Sequence, residues 1–275
     1  MSIASLSHVS KILEERDLSA KKKFGQNFLI DANIVDKIAK NASLCDTCIE
    51  IGPGIGSLSE MLLKYNKTVY AYEIDPDMVE ILGKEFGEDE RFHVTLQDFL
   101  DTDLTQVPYK EEEICVCSNL PYYVTTPILF KLFESELKIR KITVMVQKEV
   151  ASRFKAEIGS EDYNALSIIV SYLYDVKLEM NVSKNVFYPR PKVDSAVVSF
   201  TPKRERDYDF EREFFDLVKK CFRMRRKTLH NNLKDVFPEE KIGYIYEKCS
   251  LKENVRAQEL SLEDYLRMNE AAHER

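Results

Sequence analysis

The chain has 275 residues, of which 44% are hydrophobic and 32% are charged, and its formal net charge is −7. This length predicts one larger and one smaller domain. The acidic balance argues against a general nucleic-acid coat protein but leaves room for a local basic face. Six scattered cysteines exclude a disulfide scaffold. The sequence shows neither a membrane-length apolar run nor a secretory signal, so we expect a cytoplasmic protein.

The first strong pattern is a strand that ends in a glycine-rich loop. Residues 47–51 read as a strand, and glycines follow at 52, 54 and 56 before a helix begins. Glycines at such a junction let a ligand approach the backbone, although the spacing differs from that of dinucleotide binders. Glu50 would repel a pyrophosphate, so a ligand with a cationic part fits better. S-adenosylmethionine has an ammonium and a sulfonium, and Glu50, Gly52 and Gly54 become candidate contacts for it.

Two further strands end in carboxylates. The strand TVYAYEID includes Glu73 at the distance from Gly52 where an acidic side chain binds ribose hydroxyls. Asp98 lies at the end of the strand FHVTLQDF, where it can accept a hydrogen bond from an adenine amino group. The alternative for Asp98 is a capping role in the next turn. Three strand ends with Glu50, Glu73 and Asp98 favour a shared binding site.

The tetrapeptide Asn119-Leu120-Pro121-Tyr122 follows a fourth predicted strand. Pro121 makes the turn stiff. The Asn119 side-chain oxygen and the Leu120 carbonyl can accept the two hydrogens of an exocyclic amine, while Tyr122 stacks on the base. The alternative is an ordinary Pro-Tyr turn in which Asn119 acts as a local cap.

Later segments are less decisive. The run from Tyr163 to Tyr174 fits either a helix or a strand, and we leave its type open. Phe187 begins the loop FYPRPKVDS, whose two prolines predict an extended, stiff backbone. That loop could present Phe187 as a second aromatic wall of the site. The alternative places Phe187 in the core beneath the loop.

A charged, apolar-poor stretch at 202–209 is the best domain boundary. We therefore divide the chain into residues 1–202 and 203–275, and helix patterns dominate the second part. Residues 219–234 include seven Lys or Arg and no Asp or Glu, which favours phosphate contact over a solvated helix face. The candidate RNA-binding residues are Lys219, Lys220, Arg223, Arg225, Arg226 and Lys227.

These motifs, taken together and in order, resemble one known family. They are FGQNFL, IEIGPGIGSL, NLPYYVTTPILF, VQKEVASR, FYPRPKVDS and RRKTLHNNL, with the acidic strand ends at 73 and 98. The chain resembles the ribosomal RNA adenine N6,N6-dimethyltransferase family (KsgA type) from about residue 21 to its end. The two tyrosines of NLPYY and the cysteine-rich strand before them suggest an archaeal member.

The resemblance implies a Rossmann-like class I methyltransferase sheet with a small all-helical C-terminal domain. It also implies an S-adenosylmethionine-dependent enzyme. The cofactor contacts that it implies lie at Gln26, Asn27, Leu29, Gly52, Glu73, Asp98 and Asn119. It implies that the target adenine meets Asn119, Leu120, Pro121, Tyr122 and Phe187.

The family's substrate is a pair of adjacent adenosines in the 3′-terminal hairpin of small-subunit rRNA, and methylation accompanies subunit biogenesis. The acidic net charge favours an assembled or pre-assembled particle over naked RNA, and we expect a monomer. A large-subunit rRNA adenine methyltransferase is the nearest alternative. A non-catalytic ribosome-assembly factor on the same fold is another, and a DNA adenine methyltransferase fits less well because no target-recognition domain is left over.

Overall fold

A computed structural model of the chain describes residues 2–15 and 26–274. Phe24 and Gly25 of the FGQNFL motif lie outside this range. The strands of the described residues are β1 (Phe28–Leu29), β2 (Thr47–Ile51), β3 (Thr68–Glu73), β4 (Phe92–Leu96), β5 (Glu113–Asn119), β6 (Lys138–Gln147), β7 (Tyr174–Val182), β8 (Phe187–Tyr188) and β9 (Ser195–Pro202). The helices are α1 (Leu6–Glu15), α2 (Ala32–Ala39), α3 (Ser57–Tyr65), α4 (Pro76–Phe86), α5 (Thr125–Glu134), α6 (Lys148–Arg153), α7 (Ala165–Leu173), α8 (Tyr208–Cys221), α9 (Leu229–Leu233), α10 (Glu239–Lys248) and α11 (Leu262–His273).

Seven strands form one mixed sheet in the order β4-β3-β2-β5-β6-β9-β7. The strands from β4 to β6 pair in parallel, and β9 pairs with β6 antiparallel. Chain order reverses between β2 and β5, which is the place where open α/β sheets bind ligands beyond the strands' carboxyl ends. This topology, with helices at the C-terminus, confirms the predicted Rossmann-like class I methyltransferase fold.

Local sequence explains why the helices start beside that edge. Every residue of β2 is buried, as a strand inside a parallel sheet requires. Gly56 adopts φ +90° directly before α3, a conformation that favours glycine. The Asp75 carboxylate accepts a hydrogen bond from the Asp77 amide, and Pro76 opens α4, which is a stable helix start. Each parallel strand therefore passes into its helix through a tight turn at the same edge.

Outside the large sheet, β1 and β8 form a two-stranded antiparallel pair in which Phe28 faces Tyr188 and Leu29 faces Phe187. Ile30 donates a backbone hydrogen bond to the Val186 carbonyl over 2.9 Å. This pair connects the segment before α2 to the loop before β9.

The contacts divide the chain into two compact units, one with residues up to 151 and 176–202, the other with residues 152–175 and 203 onward. Residues 152–175 thus group with the C-terminal helices, and our division at 202/203 as a functional boundary stays a prediction. Within the second unit, Tyr172 of α7 packs on Phe214 of α8 with ring centres 5.1 Å apart, and Tyr163 donates to the Leu260 carbonyl over 2.9 Å. The segment whose type we left open is thus mainly helix α7, followed by β7.

The described helices include none that combines the length and apolarity needed to cross a bilayer.

Candidate active site

A cleft lies at the carboxyl ends of β2, β3, β4 and β5, with about 990 Å³ of space including its open mouth. All residues that line it belong to the first unit. Most of the predicted site residues are among them: Gln26, Asn27, Leu29, Glu50, Gly52, Gly54, Glu73, Asp98, Asn119, Leu120, Pro121 and Tyr122. The structure therefore brings together residues that are far apart in sequence, because the parallel strands end at one edge.

The glycine-rich loop forms one wall of the cleft. Gly52 and Gly54 have φ values of +69° and +59°, and a Cβ at Gly54 would lie 3.1 Å from the Phe28 ring. Any larger residue at 54 would be strained and would push on β1. The backbone of the loop is therefore exposed to the cleft, as a close ligand contact requires.

Glu50 lies beneath this loop and differs from the simple anion that the sequence suggested. Its side chain is 1% exposed, and Ser59 donates a hydrogen bond to Oε2 over 2.5 Å. Burial raises the pKa of Glu50 to about 8. The carboxyl is thus mainly protonated at neutral pH while the cleft holds no cation.

Glu73 at the end of β3 is held by the backbone. Its Oε1 accepts from the amides of Ile74 and Asp75, both over 2.9 Å, and its Oε2 accepts from Gly54 over 3.0 Å. Burial raises the pKa of Glu73, and these hydrogen bonds oppose that rise. Gln26 donates to Asp75 Oδ2 over 2.8 Å, which places the Gln26 amide beside the same strand end.

Asp98 has the capping role and also lines the cleft, while its contact with an adenine amino group stays a prediction. Its Oδ1 accepts from the Leu100 amide over 2.9 Å and caps the short helix of residues 99–101. Asp98 also lines the cleft, together with Gln97 and Phe99. The cap fixes one carboxylate oxygen, and the carboxylate has acceptor positions left for a ligand.

The tetrapeptide at 119–122 lines the cleft beside the glycine loop, since a Cβ at Gly52 would lie 3.4 Å from the Pro121 ring. The Asn119 Nδ2 atom donates to the Asn27 carbonyl over 3.3 Å, which turns the amide plane and leaves Oδ1 as an acceptor. Pro121 accepts from the Val124 amide and from the Thr125 hydroxyl. In the part of the chain that the structure describes, neither Asn119 Oδ1 nor the Leu120 carbonyl receives a hydrogen bond. Two acceptors without donors thus stand next to each other at the cleft.

Tyr122 is anchored at its hydroxyl. The Tyr122 Oη and Ser195 Oγ atoms are 2.6 Å apart, and Ser195 is fully buried at the start of β9. Burial raises the pKa of Tyr122, so the phenol stays protonated near neutral pH. The ring is therefore fixed at both its backbone and its hydroxyl end.

Phe187 is not brought to the cleft. Its side chain is 3% exposed and packs in the core that also holds Phe28 and Leu29. Successive residues of a strand face opposite sides, so Tyr188 instead is exposed, at 41%. This placement agrees with the core alternative for Phe187, and the proposed stacking role receives no support from it.

The residues present fit S-adenosylmethionine. The lining includes the three acidic residues Glu50, Glu73 and Asp98, and among the described lining residues none is Lys, Arg or His. Such a lining attracts a cation and disfavours a phosphate-bearing dinucleotide. An ammonium close to Glu50 would also favour the ionised form of that buried carboxyl.

The predicted RNA-binding residues at 219–227 lie in the second unit at the end of α8 and in the turn after it. Arg223, Arg225, Arg226 and Lys227 are exposed, while Lys219 and Lys220 are half-buried. Part of this charge is neutralised, because Lys220 pairs with Asp216 at 2.5 Å and Arg223 pairs with Asp235 at 3.1 Å. Their contact with RNA stays a prediction.

Residues 17–274 match the family model described as ribosomal RNA adenine dimethylase. The chain belongs to this family. It is accordingly an S-adenosylmethionine-dependent rRNA adenine dimethyltransferase, which confirms the predicted cofactor, enzyme class and rRNA substrate.

Curated relatives of the family cover nearly the whole chain. One from Lactobacillus helveticus, named ribosomal RNA small subunit methyltransferase A, is 42% identical over 96% of this chain and 95% of its own length. A relative of the same name from Mycoplasmopsis pulmonis is 42% identical over 90% of this chain and 97% of its own length. Both organisms are bacteria, so these relatives give no support to the archaeal affiliation that we inferred from the two tyrosines.

Solved structures agree with the family assignment. A dimethyladenosine transferase from Plasmodium falciparum is 27% identical, covers 87% of this chain and 95% of its own, and has a TM-score of 0.69. The 23S rRNA methyltransferase ErmE is 23% identical, covers 90% of this chain and 100% of its own, and has a TM-score of 0.64. That likeness shows the shared fold.

Several residues at the site escaped the sequence analysis. Ser195 anchors Tyr122, Phe28 packs on the glycine loop, and Tyr123 lines the cleft while 54% exposed. The second tyrosine of NLPYY was a visible signal for Tyr123. Ser195 ends the motif FYPRPKVDS, but the sequence did not indicate its contact with Tyr122, because that partner lies in a different strand connection.

Proposed function

We propose that this family member dimethylates the N6 amines of two adjacent adenosines in the 3′-terminal hairpin of small-subunit rRNA. The observation that carries the site assignment is the pair of acceptors without donors, Asn119 Oδ1 and the Leu120 carbonyl, in two residues that line an acidic cleft. The small-subunit substrate is supported by the names and near-complete coverage of the relatives at 42% identity.

The proposed chemistry rests on orientation of the amine. The lone pair of an adenine N6 atom is delocalised into the ring, which makes it a poor nucleophile. Acceptance of both N–H groups by Asn119 and Leu120 favours a pyramidal nitrogen whose lone pair points away from the ring. S-adenosylmethionine supplies an electrophilic methyl group when bound. Tyr122, fixed by Ser195, holds the base by stacking.

The site has no need of a dedicated base. The described residues that line the cleft include neither His nor Cys, and a methylated N6 cation is acidic enough to lose its proton to water. A monomethylated amine retains one N–H, so one of the two acceptors still holds it during the second transfer. Because the amide of Asn119 is restrained by the Asn27 carbonyl, the same geometry serves both rounds.

We assign the remaining residues to contacts with different parts of the cofactor and with RNA. Glu73 binds the ribose, Asp98 the adenine of the cofactor, and Gln26, Asn27, Leu29, Gly52 and Gly54 shape its pocket. Glu50 balances its cationic part. In this proposal Phe187 supports β1 through its pairing with Leu29. Residues 1–202 form the methyltransferase domain, and residues 203–275 contact RNA through the basic residues 219–227.

We further propose that the enzyme acts as a monomer in the cytoplasm, on an assembled or pre-assembled small subunit. The net charge of −7 supports this, because an acidic protein gains little from naked RNA alone. A particle supplies additional contacts that a free hairpin lacks.

The test uses purified protein, methyl-labelled S-adenosylmethionine and small ribosomal subunits from a strain that lacks the modification. Large subunits are the control, and the Asn119→Ala variant controls for a contaminating activity. We expect label in N6,N6-dimethyladenosine from small subunits alone. Reverse transcription should stop at two adjacent positions, because dimethylation blocks the Watson–Crick edge. Label from large subunits would refute the substrate assignment.

A further inference from the structure

Four cations surround the strand connection that anchors Tyr122. They are Lys148, directly after β6, and Lys184, Arg190 and Lys192, in the segment between β7 and β9. We call them the cationic cluster. Lys148 donates its amide to the Asp194 carbonyl over 3.1 Å, and Lys184 donates its amide to Asp194 Oδ1 over 2.9 Å.

The cluster lies directly beside the proposed catalytic tetrapeptide. Asp194 is followed by Ser195, whose hydroxyl holds Tyr122 at 2.6 Å. The Lys184 Nζ atom lies 3.5 Å from the Lys192 carbonyl, so both ends of the loop remain together. Pro189 and Pro191 restrict the backbone on either side of Arg190, which orders the loop before any ligand binds.

The charge of the cluster is not neutralised by ion pairs. Within residues 2–15 and 26–274, no carboxylate lies within ion-pair distance of the four side chains; Asp194 contributes its Oδ1 to a backbone amide instead. Lys148, Arg190 and Lys192 are exposed. The contrast with Lys220 and Arg223, which have acidic partners, is informative. In an acidic chain, solvent-exposed cations without partners are available to an external anion.

We propose that the cationic cluster binds backbone phosphates of the RNA next to the target adenosine, and that Tyr188 stacks on a neighbouring base. This inference rests on the proposed function and adds a second contact surface to it. Phosphate contacts position a nucleic acid without reading its sequence, and exposed aromatic rings accept any base. The surface would hold the strand while one adenosine enters the cleft.

The test compares two matched double variants. Arg190→Gln/Lys192→Gln removes from the cluster one Arg and one Lys that are two positions apart in sequence. Lys138→Gln/Arg140→Gln removes the same two residue types, at the same spacing, from the opposite end of β6. Both pairs are exposed, so neither change empties the core, and melting temperatures check that both variants fold.

The measurement is the dissociation constant for small ribosomal subunits that lack the modification, titrated over a series of salt concentrations. For the cluster variant we expect about a 10-fold weaker affinity and a slope of log affinity against log salt that is smaller by about 1.5, as loss of two phosphate contacts predicts. The variant at 138 and 140 should retain the wild-type slope, and the cofactor KM should not change in either variant.

The outcomes separate this inference from the proposed function. If the cluster variant keeps the wild-type slope and affinity, the cationic cluster does not bind RNA phosphates, even if the wild type methylates small subunits. Absence of salt-dependent binding of small subunits by the wild type would overturn the inference as well. If the cluster variant shows a reduced slope but the wild type fails to label small subunits, phosphate binding by the cluster stands and only the substrate assignment is rejected.

Discussion

The Tyr122 hydroxyl lies 2.6 Å from the hydroxyl of Ser195, which is fully buried at the start of β9. This contact joins the tetrapeptide after β5 to a strand that is two places away in the sheet. Ser195 touches no reacting atom and is therefore a positioning residue.

Loss of this hydrogen bond should lower kcat by about 5-fold, because a bond of this kind contributes about 1 kcal/mol. Tyr122→Phe and Ser195→Ala should have similar effects on kcat with unchanged cofactor KM. The double variant should be no slower than either single variant, since all three lose the same contact. Ser195→Thr, which retains a hydroxyl, should restore most of the rate. Additive losses in the double variant would show that the two residues act separately.

Asn119→Ala should reduce methyl transfer by at least about 100-fold, since it removes an acceptor that orients the amine. The cofactor dissociation constant, measured by calorimetry, should change only a few-fold. Glu73→Ala provides the contrast. The Glu73 carboxylate accepts from three backbone amides, one of them Gly54 of the glycine loop, and its loss should mainly raise the cofactor KM. Equal losses of binding and rate in Asn119→Ala would contradict its assignment to the base.

The buried Glu50 predicts a pH-dependent stability in the absence of cofactor. The pKa of Glu50 is about 8 in the folded protein, against an ordinary value of 4.5 that applies to the unfolded chain. Between pH 4.5 and 8 the folded state therefore holds a proton that the unfolded state has lost. The free energy of unfolding therefore falls as pH rises from about 4.5 to about 8, and levels off above.

The matched variant is Glu50→Gln, whose amide oxygen can still accept from Ser59. Its free energy of unfolding relative to the wild type should rise across this pH range by about 3–5 kcal/mol, measured by urea denaturation. Glu90→Gln, at an exposed turn, controls for loss of a surface carboxylate. A constant difference between Glu50→Gln and the wild type would show that Glu50 ionises normally.

Two glycines should respond in opposite directions to alanine. Gly56 has φ +90°, and a Cβ there would lie 2.4 Å from the Phe86 ring, so Gly56→Ala should destabilise by about 1–3 kcal/mol. Gly83 lies inside α4 with nothing within 4 Å of an added Cβ. Gly83→Ala should therefore stabilise by about 0.5–1 kcal/mol. The measurement is the melting temperature of each variant. Equal shifts in melting temperature would mean that the glycine loop tolerates a side chain at position 56.

The sequence was informative wherever function and local structure coincide. The Gly52 loop, Glu73 and Asp98 each follow a strand, and parallel strands must end at one edge, so their meeting in the cleft was predictable. The motifs of the loop and the tetrapeptide also carried the family resemblance, which the family match confirms.

What escaped prediction depends on contacts between distant segments. Ser195 finds Tyr122 only because β9 returns antiparallel beside β6, and Phe187 faces inward because β8 pairs with β1. The run from 163 to 174 is mostly apolar, so periodicity could not separate a buried helix from a strand. The ionisation of Glu50 likewise depends on burial, which composition does not report.

The pairing of Phe28 with Tyr188 has a consequence for the order in which the protein folds during its synthesis. The strand that backs the glycine loop emerges early, but its partner emerges only after the central strands have been made. A nascent chain that stops before residue 187 can therefore assemble β2 to β6 without completing the wall of the cleft. We therefore expect the cofactor to bind only late in translation, and truncated chains not to compete for it.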